Sequence, residues 1–446
     1  MTFWGVEIKP GKPFTHTYDG SKRTPPHFIA LPCWLGVTLR AINSSHSLIP
    51  IVDAITMQHR QLHLQFSSIP PEDRISALPD VLNLHILYFL PTKDAAATII
   101  LSKRWKPLWF SQFRLKLDNQ NIPDPSIFRE IPNSFITNRD QDLPICSFHL
   151  ICRHNHYNKT DFTKILYPVV QRRVPNLSID LSLSALPTCV LNNEFLSVLK
   201  LTRLLLDEIP NVKLPSLKFL RLESVTFTHY NYLTNILSAC PILEELETKD
   251  LNVETNYRVA HPTPQFPYIL QGGLSKLVRA NISGLHIMYS FLNNAKHLQL
   301  HVVFPYKPYN MFHNLTHLEI TFDVEPNASM LKWERLIFML AKFPKLRTLI
   351  IDEVDTVTNS SKAEDWYDPK IVPECLLTHL TTCSLRNYSS INWELPFAKY
   401  IMQNSRVLST MTIQVAKSID SDAKLQIVEE LSLCPKNSAT CELLII

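Results

Sequence analysis

The sequence predicts an α/β chain in which a short helical segment precedes an irregular solenoid of parallel strands and helices that ends in a C-terminal cap. Three observations support this prediction. Apolar residues recur at helical spacing between residues 78 and 109, the motif L-x-x-L-x-L returns after residue 145, and amphipathic helices separate several of these motifs. A motif that returns at intervals of roughly 20 to 50 residues is typical of a solenoid.

The helical segment falls within residues 71–115. Pro79 suits the first turn of a helix, because its missing N–H is no loss there. Pro91 ends this helix, and a second helix is expected to run on to Trp105. Two short helices cannot bury their apolar residues alone, so we expect a partner to cover them; the alternative is a helical hairpin packed on its own protein. The residues expected to contact the partner are Leu78, Pro79, Leu82, Ile86, Leu90, Pro91, Leu101 and Trp105.

The order of short motifs in this segment resembles a known family. L-P-D, H-I-L, F-L-P-T-K-D-A and L-S-K-R-W follow one another between residues 78 and 105, as in the F-box of plant proteins. The resemblance implies that the segment docks on a Skp-family adaptor of a cullin–RING ubiquitin ligase, and that the chain downstream selects the target protein. Asn83 departs from the pattern, because an apolar residue usually stands there. An unpaired buried amide costs about 1–3 kcal/mol, so we expect weaker adaptor binding or a slightly rotated helix.

Residues 140–370 carry most of the repeats. L-x-x-L-x-L is the strand motif of a leucine-rich repeat, and one strand plus one helix per repeat stacks into a solenoid with its parallel strands on the concave side. The last four motifs begin at residues 315, 346, 377 and 408, a constant step of 31 residues. The alternative is a conventional α/β domain with leucine-rich strands. The motifs begin at Val174, Leu201, Leu217, Leu243, Leu274, Ala295, Leu315, Leu346, Leu377 and Leu408.

The repeat pattern also predicts a binding surface. Side chains alternate between the two faces of a strand, so the neighbours of the inward leucines face the concave side. We expect a target protein to bind there, although a solvated sheet face without a ligand fits the same pattern. The candidate target-binding residues are Arg203, Phe219, Arg221, Glu223, Glu245, His297, His317 and Glu319.

Residues 371–446 carry a second set of ordered motifs. They begin V-P-E-C-L-L and close with L-S-L-C-P and S-A-T-C. This block is similar to the FBD domain, which follows an F-box and leucine-rich repeats in plant proteins. Ile427, Leu431 and Cys434 share one face of a final helix that we expect to cap the solenoid. The closing strand, residues 441–446, is apolar enough to need burial.

Several function classes lack their signals. The net charge of +4 is spread over 446 residues, which argues against a nucleic-acid partner. Only 7 glycines occur, and neither phosphate-binding glycine loops nor hydrolase and metalloprotease motifs are present, so we expect neither an enzyme nor a cofactor. The sequence has no apolar run of about 18 residues that would span a membrane. The 9 cysteines form no C-x-x-C pair, which indicates reduced thiols in the nucleus or cytoplasm.

One cluster imitates a zinc site. Cys146, His149, Cys152, His154 and His156 lie within eleven residues. Cysteine and histidine at short spacing can bind zinc. Residues 145–153 alternate as a strand does, however, and ligands from one extended segment converge poorly on a tetrahedral site. We therefore expect no metal there.

Residues 1–70 do not continue either pattern. Their opening, F-W-G-V-E-I-K-P-G-K-P, resembles the first strand of the nucleoplasmin-like domain of plant nuclear immunophilins, and the resemblance fades by residue 36. A single barrel strand cannot satisfy its own backbone, so we expect a poorly ordered extension. Three hypotheses follow: a non-catalytic substrate receptor of a ubiquitin ligase, a protein-binding solenoid scaffold with a degenerate F-box, and a nuclear chromatin-associated factor.

Overall fold

The structure is a computed structural model. It describes residues 75, 77–120, 124–140, 142–153, 157–209, 211–229, 231–254, 273–283, 291–302, 310–322, 332–353, 369, 371–389 and 394–446. The extension predicted at residues 1–70 lies outside these residues, as do His154 and His156 of the cysteine–histidine cluster.

The described helices are short, and the first three form the helical segment. They are α1 (Asp80–Phe89), α2 (Thr92–Ala97), α3 (Trp105–Phe110), α4 (Pro125–Thr137), α5 (Lys159–Gln171), α6 (Asn231–Ser238), α7 (Lys332–Leu340), α8 (Glu374–Thr378), α9 (Glu394–Asn404) and α10 (Ser421–Ser432). Short 3-10 turns occupy Thr98–Ile100 and Thr188–Leu191.

The helical segment has three helices where two were predicted. The turn at Pro91 is as expected, but the second helix ends at Ala97 and continues only as a 3-10 turn. Trp105 begins α3 instead of ending α2, and its N–H donates to the carbonyl of Ser102 at 3.1 Å. Pro107 favours this start, because proline in the first turn of a helix lacks only an N–H that has no partner there.

The strands form one parallel sheet. Those described are β1 (Arg114–Asp118), β2 (Ser147–Ile151), β3 (Asn176–Ala185), β4 (Val198–Leu206), β5 (Phe219–Phe227), β6 (Glu245–Lys249), β7 (Asn252–Val253), β8 (Arg279–Ser283), β9 (His297–Val302), β10 (His317–Phe322), β11 (Thr348–Glu353), β12 (Thr382–Tyr388), β13 (Thr410–Val415) and β14 (Glu442–Ile445).

Among the described residues the sheet has 14 strands in chain order from β1 to β14, except that the short β7 pairs only with β5. Consecutive strands pair in parallel along the row. The sheet is open at both ends, which confirms the predicted α/β solenoid-like arrangement. Its first edge begins immediately after the helical segment, where the N–H of Lys116 donates to the hydroxyl of Thr92 at 3.1 Å.

The core follows from the register. Leu117 of β1 pairs with Leu150, Leu150 with Ile179, and Ile179 with Leu201, and all four are fully buried. A second buried row runs parallel to it, two residues earlier in each strand. The side chains between these rows lie on the opposite, open face of the sheet, where they are half-buried or exposed. Removing two continuous apolar rows from water is the main stabilising contribution to this fold.

Three of the ten motifs are out of register with the sheet. The motif placed at Leu201 begins at Leu196, because Leu199 and Leu201 are the residues that pair with β3. Strand β4 also has leucines at 204 and 206, so both frames match the pattern. The motifs placed at Leu274 and Leu377 each begin three residues later, because Ala280 and Cys383 stand where leucine is expected. The constant step of 31 residues therefore holds only between 315 and 346.

Several strands bend at one level of the sheet. Arg203, Ser224 and Asp250 have φ angles of 46°, 52° and 50°, and each follows a residue of one register row, Thr202, Glu223 or Lys249. A left-handed conformation costs a non-glycine residue about 1–2 kcal/mol. Its repetition on neighbouring strands shows a bend shared by the repeats.

The C-terminal strand departs from expectation. The buried face of α10 includes Ile427 and Leu431 as predicted. Strand β14 is half-exposed at the sheet edge, with Leu444 and Ile446 exposed, although burial was predicted. Only one neighbour, β13, pairs with it among the described strands.

Candidate functional site

Helix α1 is apolar on two opposite sides. Leu84 and Leu87 point inward and are buried. The outward side is also apolar, and Phe89 at 71% exposure is its most prominent side chain. Eight of the 18 exposed large apolar side chains among the described residues lie between residues 75 and 101. We name as the exposed apolar face the set Val81, Leu82, Ile86, Phe89, Leu90, Ile100 and Leu101.

The eight predicted adaptor contacts divide into two groups. Leu82, Ile86, Leu90 and Leu101 belong to the exposed apolar face; Pro79 and Pro91 are exposed beside it, and Leu78 is half-buried. Trp105 differs, because it is only 5% exposed and packs in the chain's own core with Leu108 and Trp109 of α3. Its burial favours a role in holding the segment together from inside over direct contact with a partner.

Asn83 lies on the inward side of α1 and is 0% exposed. Its amide nitrogen donates to the carbonyl of Leu78 at 3.4 Å, and its side-chain oxygen accepts no hydrogen bond in the structure. The desolvation cost foreseen from the sequence is therefore present. It falls on the stability of the segment, because Asn83 does not reach the exposed apolar face.

An arginine that sequence reasoning missed fixes the start of α1. The Arg104 guanidinium donates to the Asp80 carboxylate at 2.7 Å and to the carbonyl of Leu78 at 2.5 Å. These bonds join the loop before α3 to the first turn of α1. The L-P-D and K-R-W motifs contain both partners, so the pairing could have been proposed from the sequence.

A second arginine joins the helical segment to the sheet. Arg139, at the end of α4, is buried and donates to the carbonyls of Phe110, Gln112, Leu143 and Pro144. Burial lowers the pKa of its guanidinium to about 10, so it stays charged near neutral pH. Charge-assisted bonds of this kind are roughly twice as strong as neutral ones. Arg139 therefore fixes the end of α3 against the loop that enters β2.

The predicted target-binding residues lie on the open face, and most of the charged ones are paired. Arg221 contacts Glu223 at 2.8 Å and Glu247 at 3.4 Å. Glu245 contacts Arg279 at 3.3 Å, and Glu319 contacts Arg386 at 2.6 Å. Arg203 donates to Asp180 where β4 bends. These exposed pairs neutralise one another, and each contributes little to stability.

A shallow groove of about 310 Å³ crosses the open face over β6, β8, β9 and β10. It brings together four of the eight predicted residues: Glu245, His297, His317 and Glu319. The rings of His297 and His317 are 5.6 Å apart. Burial, then His317 and nearby cations, lower the pKa of His297. The other four, Arg203, Phe219, Arg221 and Glu223, lie on β4 and β5.

The described residues of the cysteine–histidine cluster do not come together at one site. Cys146 and Cys152 are buried thiols outside any disulfide, and they flank strand β2, which carries His149. Among the described residues, no three cysteine, histidine or acidic side chains are grouped closely enough to hold a metal ion. In the same residues, no helix has both the length and the apolar character needed to cross a membrane.

Comparison with known families matches three stretches of the chain. The F-box domain matches residues 75–116, the Leucine Rich Repeat residues 216–241 and FBD residues 368–413. The relatives extend over most of the chain. An F-box/FBD/LRR-repeat protein of Arabidopsis thaliana is 29% identical over 441 residues, covering 85% of this chain and 98% of its own. Another protein of that description and organism is 30% identical over 408 residues, covering 78% of this chain and 88% of its own.

Proposed function

This chain belongs to the family of plant F-box proteins with leucine-rich repeats and an FBD domain, and from that premise we propose that it is the substrate-recognition subunit of a Skp–cullin–F-box ubiquitin ligase. The exposed apolar face binds the Skp-family adaptor, which links it to the cullin. The open face of the sheet holds a target protein, and the chain itself performs no chemistry.

The two-sided apolar character of α1 is the observation that supports adaptor binding. One side already packs on the chain through Leu84 and Leu87, so its own fold accounts for those residues. The helical hairpin alternative leaves the outward side unexplained, since Leu82, Ile86 and Phe89 remain exposed. Contiguous exposed apolar patches on soluble proteins mark interaction sites, and burying each such side chain contributes about 1.5–3 kcal/mol.

The rigid link to the sheet supports a receptor role. Arg139 bonds to both the end of α3 and the start of the repeats, so a target on the sheet stays at a defined place relative to the adaptor. A tethered target meets the ubiquitin-charged enzyme at a high effective concentration without any new contact between them. Selecting and positioning a target is thus sufficient for function, and no catalytic group is needed on this chain.

We also propose that the protein works in the nucleus or cytoplasm. None of the cysteines that the structure describes is in a disulfide, and several are deeply buried. Burial raises the pKa of the Cys240, Cys375 and Cys383 thiols to about 12, so they stay protonated and unreactive. Free buried thiols fit a reducing compartment.

Adaptor binding tests the proposal. In the double variant Leu82→Ser/Phe89→Ser, affinity for purified Skp-family adaptor, measured by calorimetry, should fall about 100-fold or more, because 1.4 kcal/mol is a factor of ten. The temperature of unfolding should stay unchanged, since both side chains are exposed. The matched control is Leu425→Ser/Leu433→Ser, which removes two exposed leucines from the C-terminal block.

Wild-type affinity in the Leu82/Phe89 variant would contradict the proposal. So would an equal loss in the control, because a general loss of apolar surface would then explain it. A wild-type chain that binds no Skp-family adaptor would favour the scaffold hypothesis instead.

A further inference from the structure

The first edge of the sheet is protected against pairing with another strand. Alternate residues of a parallel strand bond to opposite neighbours, so the backbone groups of Arg114, Lys116 and Asp118 point away from β2. The N–H of Lys116 donates to the hydroxyl of Thr92 in α2, so the helical segment covers part of this edge. Charged side chains and a covering helix are usual ways of keeping a strand edge unpaired.

The last edge, β14, has neither protection. The N–H groups of Glu442 and Ile446 donate to carbonyls of the β13 side, each at 2.9 Å. Leu443 and Ile445 alternate with these residues, so their N–H and C=O groups point away from β13. In the part of the chain that the structure describes, no hydrogen bond reaches these outward groups. The strand, E-L-L-I, contains neither lysine nor proline.

The apolar core also reaches this edge without a cover. Leu443 is in register with Met411, and Ile445 with Ile413. Met411 and Ile413 are 0% exposed, whereas Leu443 and Ile445 are half-buried, because no further strand follows them in the described sheet. Leu433, at the end of α10, is exposed in the same terminal repeat. The last repeat of a solenoid normally has a polar outer face, and this one is apolar.

We propose that β14 is a dimerisation strand, which pairs antiparallel with β14 of a second copy of this chain. A two-fold axis at Leu444 places Leu443 of one copy opposite Ile445 of the other. The outward N–H and C=O groups of both residues then bond across the axis. Side chains opposite each other in an antiparallel pair lie on one face, so the two cores become continuous. Glu442 stands opposite Ile446, and like charges do not meet.

The pattern of the edge favours a second copy over a strand of another protein. The edge accepts a strand with apolar side chains two residues apart on one face and no charge between them. Leu443 and Ile445 of β14 have this pattern, so the strand is complementary to itself. The same patch on both copies makes an interface that closes at two, and the protected β1 edge prevents growth into a fibre. Because β14 has only four residues, we expect a dissociation constant on the order of 10 μM.

The dimer goes beyond the proposed function, since adaptor binding does not require it. The helical segment adjoins β1, and β14 is at the other end of the strand order. Two chains joined at β14 therefore carry their exposed apolar faces at the outer ends of the joint sheet. Each copy then binds its own adaptor without blocking the other.

The test measures the mass of the full chain by sedimentation, with and without adaptor, between about 1 and 100 μM, a range that spans the expected dissociation constant. We expect a monomer at the lower limit and a dimer at the upper limit. Hydrogen exchange resolved to single amides locates the contact. The amides of Leu443 and Ile445 should exchange about tenfold or more slowly in the dimer. Those of Glu442 and Ile446 should not change, because they bond on the β13 side in both states.

The variant Ile445→Pro removes an N–H that β13 does not use, and proline is tolerated on an edge strand at such a position. Self-association should weaken about tenfold or more, because each copy loses a hydrogen-bond donor. The unfolding temperature and adaptor binding should stay unchanged. The matched control is Ile445→Val, which keeps the N–H and an apolar side chain and should dimerise as the wild type does.

A wild-type chain that stays monomeric at the highest concentration would overturn the dimer. So would a dimer that survives Ile445→Pro with unchanged exchange at Leu443 and Ile445, because its contact would lie elsewhere. Protection of these two amides only when a different protein is added would overturn the second copy in favour of a foreign strand. Each of these results with adaptor binding intact leaves the ligase proposal standing, and a dimer that binds no adaptor is a failure of the proposed function alone.

Discussion

The helical segment and the open face of the sheet are both uncovered, but their chemistry differs. On α1 the outward side chains are apolar, and Phe89 is the most exposed of them. On the sheet most of the outward side chains are polar or charged, and Arg221, Glu245 and Glu319 pair with neighbours across strands. The apolar side chains are removed from water only when a partner covers them, whereas the charged side chains are well solvated without one.

This difference suggests two modes of recognition. Apolar contact is strong and largely insensitive to salt, which suits one constant partner such as an adaptor. Charged groups discriminate between partners, because a wrong partner leaves a charge unpaired or meets a like charge.

The largest expected effect is the difference in stability between a buried and an exposed substitution in the helical segment. Trp105→Ala should lower the free energy of unfolding by about 3–5 kcal/mol, because a buried ring is lost and a cavity remains. Phe89→Ala on the exposed side should change it by less than about 0.5 kcal/mol. Urea denaturation of both variants makes the comparison. Equal losses would mean that α1 is covered on both sides within the chain.

A smaller effect concerns the open face and depends on pH. The pKa of His149 is lowered from 6.5 to about 4 in the folded chain, so the unfolded chain binds this proton more tightly. Its contribution to stability is present above pH 6.5 and is lost as the pH falls toward 4. The ring is only partly buried, so we expect about 1–2 kcal/mol.

Denaturant titrations at pH 7 and pH 4.5 check this. His149→Gln should lose less stability between the two pH values than the wild type does. The control is His313→Gln, which alters an exposed histidine. An unchanged pH dependence in the His149 variant would show that the imidazole is not held neutral by its surroundings.

The smallest expected effect is a change in stability at Asn83, the position of α1 that departs from the family pattern. Asn83→Leu should raise the free energy of unfolding by about 1 kcal/mol, because the buried side-chain oxygen has no hydrogen-bond partner. Adaptor affinity should remain that of the wild type, since Asn83 is on the inward side. Calorimetry with purified adaptor and thermal unfolding measure the two quantities. Tighter adaptor binding without a gain in stability would instead mean that Asn83 borders the exposed apolar face.

The outward face of α1 was largely predictable, because helical periodicity locates it, and its role as the adaptor contact stays a prediction. Trp105 was assigned to that face only because it is large and apolar. A motif does not show whether such a side chain packs inside its own chain or against a partner. The register of β4 was not predictable in the same way. Its motif was placed five residues too late, at Leu201 instead of Leu196.

The sequence by itself determined the class of fold, the succession of helical segment, repeats and C-terminal block, and the buried face of those strands whose motif was placed in the right frame. These properties depend on local periodicity, which a single stretch of chain displays. Only the tertiary structure decided the register of neighbouring strands, and with it the row that joins Lys116, His149 and Lys200. Where leucines recur at 199, 201, 204 and 206, two frames bury equally apolar side chains, and the pairing with β3 selects between them.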